Sequence, residues 1–245
     1  MDDSVRLSVL STVDGRELRR LPGIPRADGV NVSIQTIAIS SSASRRLLWL
    51  SVYDLDTPPH PASFLMALDA SLHTVVYNVS LFNPPLDTQP FQSLQTSSHG
   101  ELLHGVAITQ GRPFLFTFNT SSGQQVGKAV QPAGPFVTLM AVYTNFSTQQ
   151  EALVFLDPTH PVELYFADLH GIPRGSVRLQ VRLPPVGQKP ISLSLCAHGD
   201  RAWLMDDIDR AYAFSLRSGE LLANLSRAMP DDQQPGLSGL PHSMA

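Results

Sequence analysis

Short apolar runs separated by turn residues dominate the chain. Each run has about four to eight residues and is rich in β-branched and aromatic side chains, which is typical of strands. Strict alternation of apolar and polar residues is clear in residues 177–183 and 192–195. No stretch keeps apolar residues at helical spacing for three turns. The pattern therefore predicts an all-β chain.

A turn motif recurs at intervals of roughly 50 residues. In each copy an apolar strand leads through a small polar turn into another apolar strand, as in residues 116–126 and 213–222. The turn position falls at Gly15, His73, Gly123, residues 171–175 and Gly219. The intervals are roughly 58, 50, 48–52 and 44–48 residues, the spacing of four-stranded propeller blades. Glycine suits a tight hairpin because one turn position needs φ > 0.

The repeat predicts a β-propeller built from four-stranded antiparallel blades. We expect a partial blade at 4–21 and a disordered tail at 227–245. Four complete blades are expected at about 34–80, 91–130, 136–182 and 191–226. Closed propellers have about four to eight blades, so four and a half suggest part of a larger ring, for example one of six blades. A β-sandwich with similarly spaced hairpins is the alternative fold.

One segment resembles the NHL-type repeat of known propellers. Residues 201–214 contain an apolar strand that ends in Asp206, a polar turn with Arg210 and a strand that ends in Phe214. The resemblance implies a fold and not a function.

Other segments carry the resemblance more loosely. Residues 162–168 resemble the first half of an NHL unit, and residues 214–219 are similar to quinoprotein-like (YVTN-type) turns. The resemblance extends over residues 5–226 as a period only. The chain departs from the NHL pattern at 112–128, where the aspartate expected after the second strand is absent.

Asparagine usage points to a cellular compartment. Five of the six asparagines open an Asn-X-Ser/Thr sequon, and the exception is Asn83, which precedes Pro84. The candidate N-glycosylation sites are Asn31, Asn78, Asn119, Asn145 and Asn224. Serine and threonine occupy 39 of 245 positions, so chance would give about one sequon. The excess predicts a glycoprotein of the extracellular space or the secretory lumen.

A cytoplasmic location is the alternative. Serine-rich turns attract asparagine without any glycan. Residues 1–3 also lack the basic and apolar regions of a signal peptide, which fits a truncated sequence or a cytoplasmic protein. The single cysteine, Cys196, excludes an internal disulfide and a Cys-based zinc cluster.

The composition of the chain excludes some classes of binding partner. The chain carries a net charge of −4 with only 17 Lys and Arg residues, so a nucleic-acid partner is not expected. No run of about 18 apolar residues is present, so no transmembrane segment is predicted. Hydrophobic residues make up 42% of the chain, which is enough to fill a core.

No catalytic, cofactor or metal motif emerges. The acidic cluster of Asp206, Asp207 and Asp209 lacks the features of an EF-hand loop and is expected to be a solvated turn. Asp54 and Asp56 are interpreted in the same way. Four histidines lack a third ligand and are expected in loops, namely His99, His104, His160 and His170.

Three apolar residues are assigned to packing rather than chemistry. Cys196 is expected as a small buried core residue. Trp49 and Trp203 occupy equivalent second-strand positions, which favours packing between blades over a ligand-binding face.

These features together predict a non-catalytic module that binds a protein or glycan through its loop faces. The best contact candidates are the loops Thr57–Pro61 and Phe82–Pro90. No cofactor is expected. The alternative is a propeller enzyme, either a metal-dependent lactonase or lyase or a quinoprotein-like enzyme, whose site is completed by further blades.

Overall fold

The structure is a computed structural model, and all of the regular structure that it describes is β-strand. The described residues are 7–10, 13–14, 16–21, 32–41, 46–54, 63–69, 75–80, 88–132, 136–145, 150–159, 163–180, 190–196, 200–207 and 210–226. The predicted tail at 227–245 lies outside them. The predicted all-β class is confirmed.

The strands fall into one hairpin and four larger sheets. The hairpin consists of β1 (Leu7–Leu10) and β2 (Glu17–Leu21). Blade 1 consists of β3 (Val32–Ser41), β4 (Arg46–Asp54), β5 (Ser63–Asp69) and β6 (Val75–Ser80). Blade 2 consists of β7 (Thr88–Thr96), β8 (Leu102–Thr109) and β9 (Arg112–Asn119). Blade 3 consists of β10 (Leu139–Asn145), β11 (Gln150–Leu156), β12 (Glu163–Ala167) and β13 (Pro173–Arg178). Blade 4 consists of β14 (Pro190–Leu195), β15 (Arg201–Asp206), β16 (Arg210–Ser215) and β17 (Leu221–Ser226).

Each blade is an antiparallel sheet whose strands follow chain order. Blade 2 has three strands, and the isolated bridges Leu115–Val130 and Phe118–Gln125 take the place of a fourth. The first strands of the four blades, β3, β7, β10 and β14, neighbour one another in that order. This arrangement is a β-propeller of four blades, as predicted, and not a β-sandwich. The part of the chain that is described does not show a six-bladed ring.

Strand register identifies one equivalent residue in the second strand of every blade. Trp49 pairs with Ala67, and Trp203 pairs with Ala213, each beside the bulge that joins the third and fourth strands. The same criterion selects Val154 in blade 3, because its partner Phe166 lies beside the bulge. In blade 2 the isolated bridge of Phe118 with Gln125 marks the corresponding place, and the pair beside it, Thr117 with His104, selects His104. We call this second-strand residue the central position; its four occupants are Trp49, His104, Val154 and Trp203.

The central residue packs against the next blade along the chain. Trp49 belongs to a cluster with Leu94 of blade 2, and Val154 belongs to one with Leu193 of blade 4. Trp49, His104 and Val154 are fully buried, whereas Trp203 of blade 4 is partly exposed. Three of the core clusters are therefore layers between neighbouring blades. A fourth cluster, of Leu50, Val52, Met66 and Leu68, lies on the opposite face of blade 1.

Glycine turns fix how each blade meets the previous one. Gly123, Gly171 and Gly219 lie 48 residues apart, between the third and fourth strands or at the equivalent turn of blade 2. Each has φ between 70° and 81°, as predicted for a tight hairpin. A Cβ at Gly123 would lie 2.7 Å from the Tyr77 ring, and one at Gly219 would overlap the carbonyl oxygen of Arg178. The turns therefore need glycine both for φ and for close approach to the preceding blade. The predicted turn positions Gly15 and His73 lie outside the described residues.

Two glycine substitutions separate these requirements. Gly219→Ala should lose about 1 kcal/mol to the left-handed φ and about 1–3 kcal/mol more because the Arg178 backbone must move. Gly127→Ala is the matched control, since φ is also 70° but nothing lies within 4 Å of the added methyl group. Urea unfolding of both variants measures the difference. Equal losses of stability would show that the turn does not pack on blade 3.

Candidate functional site

Two of the predicted glycosylation sites occupy the same place in two blades. Asn78 on β6 pairs with Met66, and Asn224 on β17 pairs with Tyr212. In both blades the next ladder pair lies directly beside the bulge, so the two asparagines have the same register. Both side chains are exposed on the outermost strand. A glycan at either position would extend from the rim without entering the layers between blades.

The other three sequons differ in their surroundings. Asn119 is half-buried at the end of β9, where its Oδ1 accepts hydrogen bonds from the backbone amides of Ser121 and Ser122 at 2.9 and 3.1 Å. Its side chain therefore stabilises the turn that contains Gly123. Asn145 is the last residue of β10, and Asn31 lies outside the described residues.

His104 is the most unusual titratable group in the described part of the chain. It is fully buried in β8, so the prediction of a loop histidine is wrong for this residue. Nδ1 lies 3.1 Å from Oγ1 of Thr117, while Nε2 has no hydrogen-bond partner among the described residues. Sequence reasoning missed it because a histidine in a central position has no local signature; only the pairing with Thr117 reveals it.

Burial lowers the pKa of His104 to about 4, since the charged imidazolium is poorly solvated between blades. The charge of Glu151 on β11 opposes this shift, and His170 in the β12–β13 turn adds to it. His104 is therefore neutral at physiological pH. Of the other histidines, His99 and His170 are exposed in turns, as predicted, and His160 lies outside the described residues.

The acidic cluster has a structural role at its first residue. Asp206 is buried, and its Oδ1 accepts a hydrogen bond from the Arg210 amide at 2.9 Å, while Tyr212 donates to Oδ2 at 3.3 Å. Burial and the neighbouring Asp206 carboxylate raise the pKa of Tyr212. The prediction of a solvated turn is wrong for Asp206, because its buried carboxylate accepts the hydrogen bonds that close the β15–β16 connection. The prediction holds for Asp207, which is exposed. Asp209, Asp56 and the side chain of Asp54 lie outside the described residues.

Blade 3 contains an aspartate equivalent to Asp206. Register places Asp157, which is also buried, at the equivalent end of the second strand. Its Oδ1 accepts a hydrogen bond from the Thr159 amide at 2.8 Å. Asp168, which the NHL resemblance aligned with this role, instead follows the third strand and accepts hydrogen bonds from the His170 and Ile172 amides at 2.9 and 3.0 Å.

Cys196 is not the buried core residue that the alternating pattern predicts. Strand β14 ends at Leu195, so Cys196 falls just beyond the buried pattern and is only partly buried. Its Sγ–H donates to Oδ1 of Asp200 at 3.0 Å. A carboxylate acceptor does not activate a thiol as a base with a histidine would, so this pair is not a nucleophile site.

The described residues hold no group of three or more His, Cys, Asp or Glu side chains placed to bind a metal ion. Among the same residues, no helix is long and apolar enough to cross a membrane. No protein-family model matches the chain, and no curated protein is significantly similar to it. The fold assignment therefore depends on strand topology and register alone.

The buried histidine makes stability depend on pH. The unfolded chain takes up a proton at His104 near pH 6.5, but the folded chain does so only near pH 4. Stability should therefore fall as the pH drops from 6.5 to 4, by as much as about 3 kcal/mol from this group. His104→Gln removes this contribution, so the difference in unfolding free energy between the variant and the wild type should change across this window.

Chemical unfolding at pH 4.5, 5.5 and 7 measures the effect. His99→Gln is the matched control, because it removes an exposed turn histidine and should keep the wild-type slope. Parallel pH profiles for the wild type and His104→Gln would contradict the assignment.

Proposed function

We propose that this chain is a non-catalytic binding β-propeller of a secreted or lumenal glycoprotein, with a protein or a glycan as its ligand. The observation that carries the proposal is the placement of two sequons, Asn78 and Asn224, at one register position on exposed outer strands. Neither exposed asparagine belongs to a buried cluster between blades. A modification of the rim accounts for its recurrence with a serine two residues later.

The geometry of blade 1 supports binding through one face of the propeller. The residues Tyr53, Ser63 and Ser80 lie at the same edge of the sheet, since Tyr53 pairs with Ser63 and the adjacent Phe64 pairs with Ser80. The candidate contact loops Thr57–Pro61 and Phe82–Pro90 leave from this edge. Of these loops only Thr88–Pro90, at the start of β7, is described.

The stacked blades supply the rigid support that recognition loops need. Each layer is fixed by buried apolar side chains, such as Leu65 and Leu103 between blades 1 and 2. Loops on a rigid scaffold can vary in sequence without loss of the fold. The hydrogen-bonded turn of Asp206 and Arg210 supports NHL-like blades as the scaffold.

Glycosidase treatment of the endogenous protein tests the compartment. Removal of N-glycans should lower the mass, and Asn78→Gln or Asn224→Gln should each remove one glycan from the protein made in the same cells. Asn83→Gln is the matched control, because proline follows Asn83 and blocks the sequon. An unchanged mass after glycosidase treatment, with all five sequons unoccupied, would overturn the secretory proposal.

Metal analysis tests the non-catalytic part of the proposal separately. The purified protein should contain no stoichiometric Ca²⁺ or Zn²⁺. One equivalent of either ion would instead favour a metal-dependent propeller enzyme, while leaving the glycan result unaffected.

A further inference from the structure

His104 and Glu151 face each other across the layer between blades 2 and 3. His104 precedes Val106 by two residues on β8, and Glu151 precedes Leu153 by two residues on β11. Val106 and Leu153 belong to one buried cluster between these blades. Side chains two residues apart on a strand share a face, and both second strands run in the same direction in their blades. His104 and Glu151 therefore lie on facing sides of this layer.

The two residues differ in how their polar atoms are satisfied. His104 is fully buried, and its Nε2 has no hydrogen-bond partner among the described residues, although Nδ1 lies 3.1 Å from Oγ1 of Thr117. Glu151 is half-buried, and its Oε1 accepts a hydrogen bond from the backbone amide of Ser98. A buried nitrogen without a partner is unfavourable, so a group that can move to Nε2 and bind it is favoured.

The hydrogen bond between Ser98 and Glu151 joins the β7–β8 turn to blade 3. The same turn packs on blade 1, because a Cβ at Gly100 would lie 2.6 Å from the carbonyl oxygen of Ser41. Within the turn, the amide of Gly100 donates to the carbonyl oxygen of Ser97 at 2.9 Å. The turn therefore contacts the blades on both sides of its own, and Glu151 supplies a contact with blade 3.

The charges around His104 favour Glu151 as the partner of a protonated ring. The cross-strand partners of His104, Gln95 and Thr117, are uncharged. Among the described residues, Glu151 and His170 are the titratable groups that act on His104 from blade 3, and Glu151 is the one that attracts an imidazolium. A bond from a buried imidazolium to a carboxylate joins opposite charges away from water, whereas a backbone amide is a neutral donor.

We propose that Glu151 is an acid-sensitive switch between blades 2 and 3. At neutral pH its carboxylate holds the amide of Ser98. When His104 takes up a proton from solvent, the carboxylate moves to Nε2–H of His104 and releases the β7–β8 turn. The half-buried glutamate side chain has the freedom for this movement, whereas the histidine ring is fixed by the layer around it.

Nuclear magnetic resonance of the full chain during an acid titration tests the proposal. In the wild type, the Ser98 amide shift should follow the ring signals of His104 with one midpoint. Its protection from hydrogen exchange should fall by about tenfold or more, because a hydrogen bond to a charged group is lost. His104→Gln should keep the Ser98 amide in its neutral-pH state. His99→Gln is the matched control, because it removes the exposed histidine beside Ser98 and should leave the response unchanged.

Glu151→Gln separates the charge of this side chain from its hydrogen bond. The glutamine amide oxygen still accepts from Ser98 but does not attract an imidazolium, so Ser98 should stay bound while the pKa of His104 falls. The amide of Leu204 in blade 4 should stay protected throughout, which distinguishes the switch from unfolding. A Ser98 response that persists in His104→Gln, a wild-type Ser98 amide that ignores protonation of His104, or global unfolding before His104 titrates would overturn the proposal.

Discussion

Burial of one second-strand side chain against the next blade is the interaction on which this propeller depends. A β-sheet blade has two faces, and each stays apolar only if a neighbour covers it. Full burial of a tryptophan such as Trp49 removes about 150–250 Å² from water, on the order of 4–6 kcal/mol. With no disulfide available, this packing and the turns that set the distance between blades account for the rigidity of the array. The four central residues, Trp49, His104, Val154 and Trp203, differ in chemistry but share a place in the ladder.

The glycine turns and the central residues depend on each other. Gly123 lets its turn approach Tyr77, and Tyr77 in turn stacks on Trp49. A side chain at the turn would therefore displace the aromatic pair that fills the layer between blades 1 and 2. The turn glycines Gly123, Gly171 and Gly219 recur every 48 residues. This spacing is consistent with each blade needing both a close-packed turn and a central residue.

The strands and the turns could be predicted from the sequence because local chemistry determines them. The pairing of residues across strands could not be predicted. Gly123 and Gly219 were identifiable because a tight hairpin imposes a residue type. His104 was not, because its interval to the turn glycine is 19 residues and that of Trp203 is 16, so no fixed offset marks the central position. Cys196 was misassigned for a related reason: alternation extends one residue past the end of β14. Of the candidate site, the sequons were identified by sequence, but their shared register required the ladder.

The central claim is that the position of Trp49 and Trp203 in the ladder, together with the presence of a following blade, determines their exposure. Acrylamide quenching of two single-tryptophan proteins, Trp49→Phe and Trp203→Phe, tests it most directly. We predict that Trp49 is strongly protected, because blade 2 covers it, and that Trp203 is quenched more readily, because it is partly exposed. A Trp49 that is quenched as readily as free indole in the folded protein would contradict the account.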